Sequence, residues 1–387
     1  MAAKVTFFPV DNGDMILVRL ADSESTTLLV DCKIRAAADD PDDVTPDVAG
    51  ALRDRLKYDA NGRPYVDAML LSHPDEDHCL GLRKHFWLGP LSEYPDDKKP
   101  DSEKRIVIRQ MWSSPMVFRR ASKNHVLCDD AKAFSNEARR RVQVNKDKSF
   151  GVGDGDRILV LGEDENGKTD DLTPILIKRG STFSGINGKA SDYITATLLA
   201  PFGKQDDEDA EEELTKNNSS VILNLEIKGS EYSSSTSKLL LGGDAEVGIW
   251  ERVWDTYLPS ALEYDMLLAP HHCSWRTLSH DSWSELGEKA QVSAKARSAL
   301  AQARSGALIV SSSKPIDDDE NDPPCIRAKR EYKSILGYSG IFKCTGEEPT
   351  RSKPKPLECE ATNSGFKVAA GVSAAVSITT ASPPRAG

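Results

Sequence analysis

What most limits the possible folds of this chain is a strand that stops at a cluster of metal-ligating side chains. Ala68 to Leu71 is an apolar run of the kind buried on both faces of a sheet. Directly after Ser72 come four candidate ligands, His73, Asp75, Asp77 and His78. Alternate residues of an extended loop point the same way, so His73, Asp75 and Asp77 can converge while His78 enters from another side. Pro74 stiffens the loop, and Leu80 to Leu82 can begin a helix behind it. Gathering so many ionisable groups at a strand end is costly unless a cation compensates. The pattern predicts a strand-end metal site; the plain alternative is a solvated acidic loop.

The surrounding segments read as sheets covered by helices. Lys4 to Pro9 and Met15 to Leu20 form a hairpin across Asp11-Asn12-Gly13-Asp14, and Thr26 to Val30 is a strand ending at Asp31. An acidic loop, Asp39 to Asp47, precedes a helix over Val48 to Lys57. Ile106 to Met111 is a strand. Asp129 to Val144 is a helix with acids at its start and Arg139-Arg140-Arg141 towards its end. Gly151 to Asp156 reads as a turn, because neither a helix nor a Lys-Ser/Thr pair follows it. Arg157 to Leu161 and Ile194 to Ala200 are strands, and Asp206 to Glu213 reads as a mobile surface loop. A second hairpin, Ser220 to Ile227 with Lys238 to Leu241, leads to Asp244. Tyr264 to Leu268 runs into Pro270-His271-His272. A helix over Leu286 to Ala301 and a strand over Ala307 to Ser311 follow.

His-x-Asp-x-Asp-His behind an apolar strand resembles the second metal motif of metallo-β-lactamase-fold hydrolases, and the central Asp resembles the soluble hydrolase domain of ComEC-like competence proteins. Five further segments match that subgroup in order: Val10 to Val18, Leu29 to Cys32, Asn217 to Leu223, Leu239 to Asp244, and Leu268 to Ser274. The resemblance implies an α/β fold, a four-layer αββα sandwich spanning residues 1–365. An insertion is expected at about 84–150, an acidic loop at about 204–216, and a tail at 366–387 that is either a last strand or disordered. It also implies that Asp77, His78 and one of His271 and His272 hold one divalent ion, with His73 and Asp75 holding another and Asp244 bridging. Neighbours on a strand end point apart, so only one of the pair is expected to ligate, and His271 is narrowly favoured. His272 then supports the site or protonates the leaving group, and Asp31 orients the motif loop. Where other members carry a further histidine, this chain has Asn217-Asn218, leaving Asn218 as a weak oxygen ligand. That substitution favours manganese or magnesium over zinc, with one or two ions bound. Lys33 and Arg276 are candidate phosphate contacts. His125 is the only histidine between His85 and His271, and it lies in the insertion.

A cation-bound hydroxide would make such a site hydrolytic, with Asp77 and His272 as catalytic candidates. The substrate class implied is a phosphodiester in a nucleic acid. The alternatives are a small nucleotide, cyclic nucleotide or ester, or a non-catalytic metal-binding module. Arg139 to Arg141, Lys146, Lys148 and Arg327 to Lys333 can line a groove, although a net charge of −11 disfavours a protein that coats nucleic acid. Seven cysteines without a Cys-x-x-Cys fit reduced thiols in a cytoplasmic protein. Cys32, Cys79 and Cys273 flank the motifs and read as small core residues. No 18-residue apolar run is present and Met1-Ala2-Ala3-Lys4 resembles no signal peptide, so no membrane association is expected.

Overall fold

A computed structural model describes residues 2–40, 42–124 and 126–369. Its first half contains β1 (Lys4–Phe7), β2 (Ile16–Arg19), β3 (Thr27–Val30), α1 (Val48–Arg53), β4 (Pro64–Leu70), β5 (Ile106–Ser113), α2 (Asp129–Asp147) and β6 (Arg157–Leu161). The second half contains β7 (Ile194–Ala200), β8 (Ile222–Lys228), β9 (Thr236–Leu241), α3 (Val247–Thr256), β10 (Tyr264–Leu268), α4 (Ala294–Leu300), β11 (Ala303–Ser311), α5 (Ile326–Leu336) and β12 (Ile341–Cys344). β13 (Leu357–Thr362) and β14 (Gly365–Val368) return to the first sheet.

Two sheets result. The first runs β14-β13-β1-β2-β3-β4-β5-β6, antiparallel as far as β3 and parallel from β3 to β6. The second runs β7-β8-β9-β10-β11-β12, antiparallel to β9 and parallel beyond. Period-two alternation sorts their side chains into layers. Ile16, Val18, Leu28, Val30, Leu223, Leu225, Leu239 and Leu241 meet in the core between the sheets. Leu17 and Leu29 face outwards to Val48 and Leu52 of α1 and Phe134 of α2. Leu240 and Ile309 face outwards to Trp250 of α3, Ala299 of α4 and Tyr332 of α5. The architecture is therefore the expected four-layer αββα sandwich. Among the described residues, no helix is long and apolar enough to cross a membrane.

Several local expectations change. Residues 84–150 supply β5, which pairs with β4 on one side and β6 on the other, so this stretch contributes an inner strand of the first sheet. The helix expected over Leu286 to Ala301 is broken. Gly287 takes φ +52 after the turn Trp283–Leu286, and α4 begins only where the Ser293 hydroxyl accepts the Ala296 N–H. The acidic run is not wholly loose. Glu208–Glu212 is helical, and buried Glu211 accepts two hydrogen bonds from the guanidinium of Arg120, which is also buried. The first part of the 366–387 stretch is strand β14; the rest, from 370, lies outside the described residues, as does His125.

Candidate metal centre

The loops at the carboxyl ends of β3, β4, β9, β10 and β11 meet at one edge of the sandwich, where parallel strands place ligand-binding loops. Asp31 follows β3 and is fully buried, with φ +57. One of its oxygens accepts the Ser72 N–H at 2.6 Å. The other accepts the Ser72 hydroxyl at 2.6 Å and faces His78 Nδ1 at 2.8 Å. This clamp fixes the start of the motif loop and turns His78 Nε2 towards Asp244.

Asp244 is the hub. Its Oδ1 lies 3.1 Å from His78 Nε2; its Oδ2 lies 3.4 Å from His272 Nε2, 3.6 Å from His73 Nε2 and 3.8 Å from His271 Nε2. His272 Nε2 is also 3.2 Å from an Asp77 oxygen. Two ligands about 2.1 Å from a tetrahedral ion stand about 3.4 Å from each other, which is the spacing seen here. Asp244 Oδ1 and the Nε2 atoms of His73, His78 and His272 are buried and none makes a hydrogen bond. Orphaned buried nitrogens and oxygens at ligand spacing fit a divalent cation.

The charges of these groups are strongly coupled. Burial works against ionising Asp244, yet His272, His78, His73 and His271 hold its carboxyl well below the usual range. Burial would also lower His78, but Asp244 and Asp31 raise it well above an ordinary histidine. For His272, Asp244, Asp77 and Asp14 outweigh burial and carry it up to about 10. Burial and the neighbouring His78 push His73 down. Burial pushes Asp14 up to about 7, against the pull of His272 and His78.

The structure redraws the predicted set in four places. His271 and His272 are not on an extended strand end. With Cys273 they form a left-handed turn (φ +51, +53 and +68), so both rings reach Asp244. Such backbone costs of order 1–3 kcal/mol per residue. It is held by His271 N–H on Gly243 O and Ser274 N–H on His271 O, with Cys273 in the core. His272, not the favoured His271, joins the compact group of Asp14, His78, Asp244 and His272, whose ligand atoms all lie within 4.8 Å of one another. His271 stands to one side, 3.5 Å from Asn217 Nδ2 and 3.7 Å from Glu246.

Second, Asn218 is not available as a ligand: its side-chain oxygen accepts the Glu246 N–H at the start of α3, and its amide donates to Glu213 O. Third, Asp75 is half-buried at the head of the one-turn helix Glu76–Cys79 and lies outside the compact group. Fourth, Asp14 was read only as a turn residue. It is buried, with one oxygen unbonded, 3.7 Å from His272 Nδ1 and 3.9 Å from His78 Nδ1. The available signal was an acid placed directly before the apolar run Met15 to Val18.

Lys33 crosses Gly13 (φ +148), where any side chain would strike Lys33 and the Asp77 carbonyl, and its ammonium donates to Asn12 O. Arg276 is exposed. Of the expected groove cations, Arg140 is bound by Glu137 and Asp156, and Arg141 is buried on Glu137, Ile108 O and Arg157 O. Neither is free for a phosphate.

No protein-family model matches this sequence, and no curated protein matches it. Among solved structures it is similar to the metallo-β-lactamase MIM-1 from Novosphingobium pentaromativorans, at 12% identity over 75% of this chain and 80% of that one, TM-score 0.29. It is also similar to the long form of RNase Z from yeast, at 12% identity over 88% of this chain and 40% of that one, TM-score 0.36. These are distant likenesses, and the metallo-β-lactamase-like αββα class is read from the layers, the strand registers and the edge site described above.

Proposed function

We propose that the protein is a metal-dependent hydrolase acting on phosphodiester bonds. The observation that carries this reading is Asp244, whose two oxygens face three buried imidazoles and the half-buried ring of His271 across gaps of ligand spacing. A bound divalent cation would supply Lewis acidity and a water of lowered pKa. Asp14, His78, Asp244 and His272, with Asp77 beside His272, would hold it, and His73 and His271 flank Asp244 where a second ion would lie. Asp31 sets the tautomer of His78, leaving Nε2 its lone pair. His272 Nδ1 lies 3.1 Å from both the Ser312 carbonyl and the Gly13 N–H, so the ring is held in place from that side. Lys33, half-buried beside Asp77, offers a positive charge at the rim for a phosphoryl oxygen.

The phosphodiester assignment rests on Lys33 and on the sequence resemblance to a DNA-handling hydrolase domain. Substrate size is a separate matter. Lys146 pairs with Asp171, Lys148 with Asp156, Lys329 with Glu347, and Arg330 with Glu288 and Asp318. Cations already neutralised by the chain release few counterions from a polymer, which favours a nucleotide or short oligonucleotide over a long strand. The donor set mixes imidazole with carboxylate. With Asn218 engaged elsewhere and His271 turned inwards, the oxygen-rich argument for manganese loses its basis, and zinc fits at least as well.

The test is metal analysis combined with hydrolysis of bis(p-nitrophenyl) phosphate and of a dinucleotide. We expect at least one equivalent of metal, chelator-sensitive turnover, and a loss of roughly a hundredfold in Asp77→Ala with unchanged circular dichroism. A fully metallated protein that cleaves neither diester would refute the reading.

A further inference from the structure

Two cysteines meet behind the metal loop. Cys79 directly follows His78 and is buried; Cys128 precedes α2 and is half-buried. Their sulfurs are 3.5 Å apart, although 49 positions separate them in sequence. The docking that brings them together is specific: Asp130 in the first turn of α2 accepts the N–H groups of Gly81 and Arg83 and the Arg83 side chain. Cys128 Sγ also caps α2, accepting the Ala131 N–H at 3.4 Å. All seven cysteines are free thiols.

We infer that Cys79 and Cys128 form a disulfide under hydroperoxide, a modification site that locks the metal loop to the start of α2. A disulfide needs its sulfurs about 2.05 Å apart, so closure requires them to approach by about 1.5 Å. The positive end of α2 and the capping N–H favour a thiolate at Cys128. The S–H of Cys79 adds to this, and together with the Ala131 N–H it brings Cys128 down to about 6 against the opposing effect of burial. The half-buried Cys128 thiolate attacks the peroxide O–O bond, giving a sulfenic acid and hydroxide, which takes up a proton as water. Cys79 then attacks that sulfur, the S–OH bond breaks, and the Cys79 proton leaves with the hydroxide as a second water. Two thiols are oxidised and one hydroperoxide is reduced.

The cross-link does not depend on the metal reading, but its consequence does. Cys79 adjoins His78, whose ring is fixed between Asp31 and Asp244, so drawing Cys79 towards α2 pulls on a candidate ligand. The experiment treats the protein as purified with a small excess of hydrogen peroxide. Thiols are titrated in denaturant, and disulfides are mapped on unreduced peptides. We expect two of the seven thiols to be lost, one linked peptide joining Cys79 to Cys128, and its absence in both Cys79→Ser and Cys128→Ser. A metal-sensitive dye should report faster release from the oxidised protein by several fold, reversed by thiol reductant. Loss spread over other cysteines, retention of all seven thiols, or a Cys128 sulfenic acid that persists without a cross-link would each overturn the inference. A cross-link with unaltered metal release would confirm the site and remove its link to the metal centre.

Discussion

Replacing Asp31 by Asn tests the geometry of the centre without emptying it. The substitution keeps size, and asparagine tolerates the left-handed backbone that Asp31 adopts. The side-chain oxygen can still accept the Ser72 N–H, now made at 2.6 Å. The amide nitrogen then replaces the oxygen that faces His78 Nδ1 at 2.8 Å. As a donor, it forces Nδ1 to accept, and the ring proton moves to Nε2. That is the nitrogen 3.1 Å from Asp244, and once protonated it has no lone pair for a cation. Loss of a partner of this kind weakens metal binding by about 10–100-fold, or about 1.4–2.7 kcal/mol. The metal-free fold should lose only about 1–3 kcal/mol, because one charge-assisted acceptor is exchanged and no cavity opens. The assay is competition for Zn²⁺ against a chromophoric chelator, alongside thermal melting of the metal-free protein. Affinity within twofold of wild type would show that Asp31 does not set the tautomer.

Three further outcomes follow from the same contacts. Glu137→Ala strands the buried Arg141 charge and should destabilise the fold by about 3–5 kcal/mol in denaturant melts, leaving metal content unchanged. Buried Asp96 is held down to about 2 against its burial by the Arg105 and Lys99 side chains, so its stabilisation is present above its ordinary pKa and is lost as pH falls towards 2. Asp96→Asn should then cost about 1–2 kcal/mol at neutral pH, allowing for screening at half-exposed Lys99, and almost nothing near pH 2; a pH-independent difference would contradict this. Asn218→Ala should lower the melting temperature through the lost Glu246 bond, by about 1 kcal/mol, while metal stoichiometry stays the same; loss of metal would restore Asn218 as a ligand.

The layers were legible because apolar alternation is a local property. Leu239, Leu240 and Leu241 reveal two buried faces in three residues, and Ala68 to Leu71 could hardly be anything but an inner strand. The histidines and acids of the motif loop were also legible, since the need for a cation is written in their density. What was hidden depends on contacts across the chain. Asp14 looks like an ordinary turn acid until the hairpin loop folds against His272. Arg141 looks like a groove cation until Glu137 and two carbonyls enclose it. The choice between His271 and His272 rested on strand geometry, and that premise failed because the backbone turns left-handed at both. The broken helix near Gly287 was missed because its periodicity outweighed one glycine.

The centre is divided between the two halves of the chain, with Asp14, Asp31, His73, Asp77 and His78 on one side and Asp244, His271 and His272 on the other. His272 follows His78 by 194 positions. At a synthesis rate of roughly 5–20 residues per second, the first half waits roughly 10–40 s on the ribosome before its partners are made. Throughout that interval the nascent chain presents acids and imidazoles with no hub between them, open to whatever ion is most abundant or binds most tightly. A metal held by this cluster would therefore be selected only once both halves have been made.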